Sequence, residues 1–135
     1  MSGTKPDYAL ARLWLSIGLA GCAALLYMCL MPSPPKVVDV ANVDKIEHFL
    51  AYLVLGLWFG AILAPYYLRV FLGLLAFGVL IEILQGLTGY RDAQFGDAVA
   101  DGAGALGGIV LARLGAMSWL AYIDRRVTAN RNSAG

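Results

Sequence analysis

Residues 70–87 read VFLGLLAFGVLIEILQGL. The run is unbroken by proline and carries a single charge, Glu82, with one amide, Gln85, three residues later. At ~1.5 Å per helical residue it spans roughly 27 Å, close to the ~30 Å hydrocarbon core of a bilayer. Its apolar residues are continuous rather than alternating, which fits a membrane helix and not a barrel strand. Helices and closed barrels are the structures that satisfy every backbone donor and acceptor in lipid.

Three more runs of the same kind flank it. They cover about Leu13–Leu30, His48–Ala64 and Ala98–Tyr122. Across 135 residues the chain is 60% hydrophobic and 14% charged, with a formal net charge of +1. A soluble domain of this size needs more polar surface than that. The composition therefore excludes a conventional soluble domain and a disordered segment, and the charge excludes a nucleic-acid binder of the basic-patch type. The expected architecture is all-α: one polytopic membrane domain over residues 1–135, a compact bundle of four transmembrane helices. Residues 1–12 and 124–135 are expected as polar tails.

The connections carry turn chemistry. Met31-Pro32-Ser33-Pro34-Pro35 stops the first helix, because proline removes a donor and fixes φ. Pro65–Arg69 reads as a tight hairpin with interfacial tyrosines, and Gly89–Gly96 links the last two helices. The N-terminus, the second connection and the C-terminus share Lys5, Arg12, Arg69, Arg125, Arg126 and Arg131. The opposite side holds Lys36, Lys45 and Arg91 among Asp39, Asp44, Glu47, Asp92 and Asp97. Six basic residues against three predict both termini in the cytoplasm, and so a multi-pass protein of the cytoplasmic (inner) membrane. Arg113 sits towards the cytoplasmic end of its span, where it can snorkel. Leu19-Ala20-Gly21-Cys22 resembles a lipoprotein cleavage box, but the residues after Cys22 stay apolar, which favours an uncleaved anchor. Cys22 and Cys29 lie too far apart along one helix to bridge each other and read as small lipid- or helix-facing residues.

Function is expected in the few ionisable residues that enter the spans. Asp44, His48 and Tyr52 recur in steps of four and share one helical face. Glu82 and Gln85 are neighbours on the third span, and Asp97 and Asp101 on the fourth, preceded by Arg91. Glu82 falls ~20 Å along its helix from Arg69, in the same leaflet as His48 and Asp101. A charge at that depth costs ~2.5–3.5 kcal/mol on insertion scales, so the groups are expected to face one another or water. Each also has a bland reading. Asp44 alone is a solvated helix start, His48 an interfacial residue, Tyr52 a packing aromatic, Asp97 a helix cap. Glu82 alone is an interhelical bond to Arg91 or His48. The fourth span also has small residues every four positions: Gly96, Ala100, Gly104, Gly108, Ala112 and Ala116. Such a stripe permits close helix approach. Packing within the chain is the favoured use, a homo-oligomer face the other.

Asp44-Lys45-Ile46-Glu47-His48-Phe49-Leu50-Ala51-Tyr52 resembles the Asp-Lys-x-x-His-Phe-x-x-Tyr signature of VanZ-like membrane proteins. Glu82-Ile83-Leu84-Gln85 is similar to that family's Glu-x-x-Gln, and Arg91 with Asp97 to its Arg-then-Asp block. Residues 97–104 resemble its Asp-x-x-Ala-Asn-x-x-Gly, with Asp101 standing where the family usually has Asn. The blocks occur in order from residue 44 to about 108. The resemblance implies a cell-envelope membrane protein, with a link to teicoplanin-type glycopeptide resistance through the name-giving member. It implies no settled reaction.

Three functions compete. The first is a binding module for an envelope lipid or lipid-linked headgroup. Arg91 and Lys45 would meet phosphate, Asp44, His48, Glu82 and Gln85 would orient them and read hydroxyls or amides, and Tyr52 and Asp97 complete the binding residues. The second is an intramembrane enzyme in which His48 is base or nucleophile, tuned by Glu82 or Asp101. The third is a proton- or ion-coupled transporter. Binding is preferred to catalysis. The transporter lacks a polar path through the cytoplasmic half. No cofactor and no nucleic-acid partner is expected. His48, Glu82, Asp97 and Asp101 offer metal-type donors, but one histidine without tight ligand spacing sets no metal expectation.

Overall fold

The computed structural model describes residues 8–32, 43–90 and 94–133. Lys5, Lys36, Asp39, Arg91 and Asp92 therefore lie outside the described residues, as do Ser33–Pro35 of the proline-rich connection and the last two residues of the tail. Four helices are long and apolar enough to cross a membrane: α1 Ala11–Leu30, α2 Val43–Ile62, α3 Tyr67–Thr88 and α4 Phe95–Arg113. They form a multi-pass helical bundle, as the hydropathy predicts. No strand occurs among the described residues.

α2 and α4 form the most intimate pair, and glycine is the reason. A Cβ on Gly104 would run into the Phe49 carbonyl, and one on Gly108 into the Leu53 carbonyl and Leu57 amide. Gly56 of α2 meets the Ala105 backbone in the same way. The small-residue stripe of α4 is thus used inside the chain, where two backbones touch. Around this seam Tyr52, Leu55, Phe59, Val70, Leu74, Ala105 and Ile109 make the core. α1 packs against α2 and α3 but buries only Gly18 and Cys29.

The fourth apolar run departs from its expected length. It was expected as one helix to Tyr122, but α4 ends at Arg113 and a fifth helix, α5 Ser118–Ser133, follows. Gly115 is the cause. It takes φ 87°, its N–H bonds the Ala112 carbonyl (3.0 Å), and the Ala116 N–H bonds the Leu111 carbonyl (3.1 Å). Those two bonds are a Schellman end, for which glycine has no steric penalty. The segment expected as a polar tail from residue 124 is helical to Ser133.

α5 turns back onto the bundle. Met117, Leu120 and Asp124 are buried, whereas Trp119, Tyr122, Ile123 and Val127 are exposed. Asp124 accepts from the Ala9 N–H (2.8 Å), the Leu10 N–H (3.0 Å) and the Trp14 indole (2.7 Å). It caps the start of α1 from over a hundred residues away, and Leu10 itself supplies no side-chain cap. The Trp14 carbonyl in turn accepts from the Trp58 indole (2.9 Å), and the two rings meet edge to face. At the same end Arg69, Arg113 and Arg126 each lie over a tyrosine ring: Tyr66, Tyr67 and Tyr122.

Candidate functional site

The opposite end of the bundle holds the ionisable residues. α2 and α4 begin there and α3 finishes there. His48 lies five residues in from Val43, Asp101 six from Phe95, and Glu82 six from Thr88. Each is therefore roughly 8–9 Å below that end. Tyr52 of α2 and Gly78 of α3 lie about a turn deeper. Three helices thus bring a polar column together at matching depths.

At its inner end His48 Nδ1 and Asp101 Oδ1 are 2.9 Å apart, both side chains buried. An ionised carboxylate only accepts, so with Asp101 charged Nδ1 carries the proton. Cys29 of α1, also buried, approaches the same ring. Tyr52 is fully buried one turn below His48, its ring 6.3 Å from Phe77. Gly78 makes room for both groups: a Cβ there would lie 2.7 Å from Asp101 Oδ2 and 3.2 Å from Tyr52 Oη.

Towards the helix ends the links continue. Glu82 Oε2 accepts from the Gln94 backbone N–H (3.0 Å). Gln94 Oε1 accepts from Lys45 Nζ (2.8 Å), which is also 3.5 Å from Asp97 Oδ1. Gln85 donates to the Cys29 carbonyl (3.1 Å), and Tyr90 to the Leu30 carbonyl (2.7 Å), so the end of α1 is tied to α3. Glu82 lies within electrostatic reach of Asp97, His48 and Asp101.

No family model, curated protein or solved structure matches the chain.

Most of the sequence-predicted residues meet here: Lys45, His48, Tyr52, Glu82, Gln85, Asp97 and Asp101. Asp44 does not. It is exposed in the first turn of α2, where a carboxylate faces water and the positive end of the helix dipole. Arg91 lies outside the described residues. Three participants escaped the sequence reading. Gln94 sits in a connection, where no periodicity marks it. Cys29 contributes by its place at the end of α1, which its apolar neighbours do not signal. Gly78 matters for a side chain it lacks. Among the described residues no group of three His, Cys, Asp or Glu side chains is arranged to hold a metal ion.

Five buried side-chain atoms in this region have no hydrogen-bond partner: Tyr52 Oη, Glu82 Oε1, Gln85 Oε1, Asp97 Oδ1 and Asp101 Oδ2. Buried polar atoms are as a rule partnered, because leaving one unmade costs ~1–3 kcal/mol. Their gathering on three helices in one region marks it as the candidate site.

Proposed function

We propose that the chain is a VanZ-like integral membrane protein of the cell envelope that binds an envelope lipid or lipid-linked headgroup. It sits in the cytoplasmic membrane with both ends inside, and the polar column opens in the outer leaflet. Tolerance of teicoplanin-type glycopeptides is the phenotype such binding would influence. The observation that carries the reading is the set of unpartnered oxygens on α2, α3 and α4. A purely structural network would satisfy its own members. Of the described polar residues at the fixed positions of the family-like blocks, all but Asp44 line the column. Arg91 and Lys45 are assigned to the phosphate.

Native mass spectrometry of the purified full chain tests this. Wild-type protein retains envelope lipid, Arg91→Ala retains about tenfold less, and His48→Gln retains it at near wild-type level, since glutamine still donates to Asp101. Loss of retention in His48→Gln at unchanged melting temperature would contradict simple binding.

The His48–Asp101 pair favours a second reading, an intramembrane hydrolase or transferase acting on a lipid-linked phosphate or ester. A carboxylate that holds Nδ1 orients the ring and leaves Nε2 as the base. In that reading labelled envelope lipid is converted by wild-type protein and not by His48→Gln.

A further inference from the structure

The unpartnered atoms differ in kind as well as number. Glu82 Oε1, Gln85 Oε1, Asp97 Oδ1 and Asp101 Oδ2 are acceptors only, and Tyr52 Oη can serve either way. Apart from that hydroxyl, each donor group of the column already has a partner. His48 Nδ1 faces Asp101 Oδ1, the Gln94 N–H is on Glu82, Gln85 Nε2 is on the Cys29 carbonyl, and Lys45 Nζ is on Gln94 Oε1 and 3.5 Å from Asp97 Oδ1. Even with the Lys45 ion pair counted for Asp97, the column has acceptors to spare. Three of its side chains are carboxylates, set against Lys45 and His48 among the described residues.

We propose that the column receives a primary ammonium group. This rests on the binding reading above and names the chemistry it selects. A phosphate or carboxylate brings acceptors and adds to the surplus. A hydroxyl brings one donor with no charge. A quaternary ammonium brings charge with no donor. A primary ammonium brings three donors, a positive charge and no acceptor. Burial supports the assignment, because Tyr52, Gln85, Asp97 and Asp101 are each more than nine-tenths buried, so water at the surface does not answer for them. Gly78 supports it further, since a side chain there would press on Asp101 Oδ2 and Tyr52 Oη. The ammonium belongs either to a lipid headgroup or to a soluble amine, and the two sources are separable.

The test is a methylation series on the purified full chain in micelles. Phosphatidylethanolamine and its N-methyl, N,N-dimethyl and N,N,N-trimethyl forms, with the same acyl chains, keep the charge while donors fall from three to none. Retention by native mass spectrometry is expected to fall stepwise, about tenfold across the series. Glu82→Gln flattens the slope, and Asp97→Asn does the same if Glu82→Gln fails to fold. Arg91→Ala lowers all four lipids alike. Free ethanolamine, if it raises the melting temperature as much as the lipid does, assigns the ammonium to a soluble source. Two results would overturn the proposal: equal retention across the series, or a slope that follows Arg91→Ala and ignores both carboxylate variants. If phosphatidylglycerol binds in preference to all four, the ammonium falls and the binding reading stands. If no lipid and no amine is held, both fall.

Discussion

Asp101 concentrates the residue-scale question. It is a carboxylate with no exposed surface, and one of its oxygens faces His48. Removing one member of a buried charged pair leaves the other uncompensated, at a cost of about 3–5 kcal/mol. Asp101→Ala should therefore lower the unfolding free energy in detergent by about 3 kcal/mol or more. Asp101→Asn also removes the charge but keeps an acceptor for Nδ1, so it should recover only the share of that loss that belongs to the hydrogen bond, about 1 kcal/mol. Equal losses in the two variants would show that the pair depends on the charge alone, and a nearly silent Asp101→Asn that it depends on the hydrogen bond. The pair was half legible in the sequence. Steps of four placed His48 and Tyr52 on one face, and depth arithmetic set Glu82 and Asp101 in the same leaflet. The same periodicity also enrolled Asp44, because a helical face gives direction and says nothing of where a neighbouring helix begins. Asp44 points along the correct face from above the packed region.

At the scale of elements, the α2–α4 seam depends on which glycines touch backbone. Gly104 touches the Phe49 carbonyl, whereas a Cβ on Gly107 would make only an ordinary contact, 3.4 Å from the Leu53 side chain. Gly104→Ala should push the helices apart and cost about 1–3 kcal/mol by overpacking. Gly107→Ala should be neutral or stabilise by up to about 1 kcal/mol through helix propensity. Thermal unfolding of the two proteins side by side checks the contrast, and similar losses would mean that the stripe is not what sets the distance. A repeat of small residues at every fourth position announced this seam. Nothing announced α5. Its residues are mixed in character, so hydropathy ran α4 on to Tyr122. The decisive residue is Gly115, one of 16 glycines in the chain. Its left-handed turn becomes recognisable only once the helix before it is known to end.

For the molecule as a whole, the Asp124 contact joins the last helix to the first. Burial alone would raise the Asp124 carboxyl, but the Trp14 indole and the Leu10 and Ala9 amides outweigh it and hold it below its ordinary 3.8. A carboxyl with a depressed folded value contributes stability that is present above its unfolded value and is lost as pH falls through the folded one. Unfolding followed by tryptophan fluorescence, from about pH 7 down to about pH 3, should show stability falling at the acid end. Asp124→Ala should be about 1–3 kcal/mol less stable at neutral pH, because three partly buried donors lose their acceptor. Its curve should also be flatter in acid. If the two proteins share one acid limb, the contact is not what titrates. The sign reverses at high pH. Burial, and then the Asp124 charge, push the Tyr8 hydroxyl above its ordinary 10.0, so its share of stability is lost as pH rises past that value. Neither contact was readable from sequence. A long-range pairing of one carboxylate with two amides and an indole leaves no spacing to recognise, while the four spans did show in hydropathy because each obeys the bilayer alone.

That contact also orders events during synthesis. α1 is synthesised before the helices it packs on, and the carboxylate that closes its starting turn comes more than a hundred residues later. By then Trp58 already reaches the Trp14 carbonyl, and Gln85 and Tyr90 tie the far end of α1 to α3. A nascent chain stopped before residue 118 would therefore carry an α1 that is docked along its length but open at its first turn. The start of the first span is fastened only when the last helix arrives.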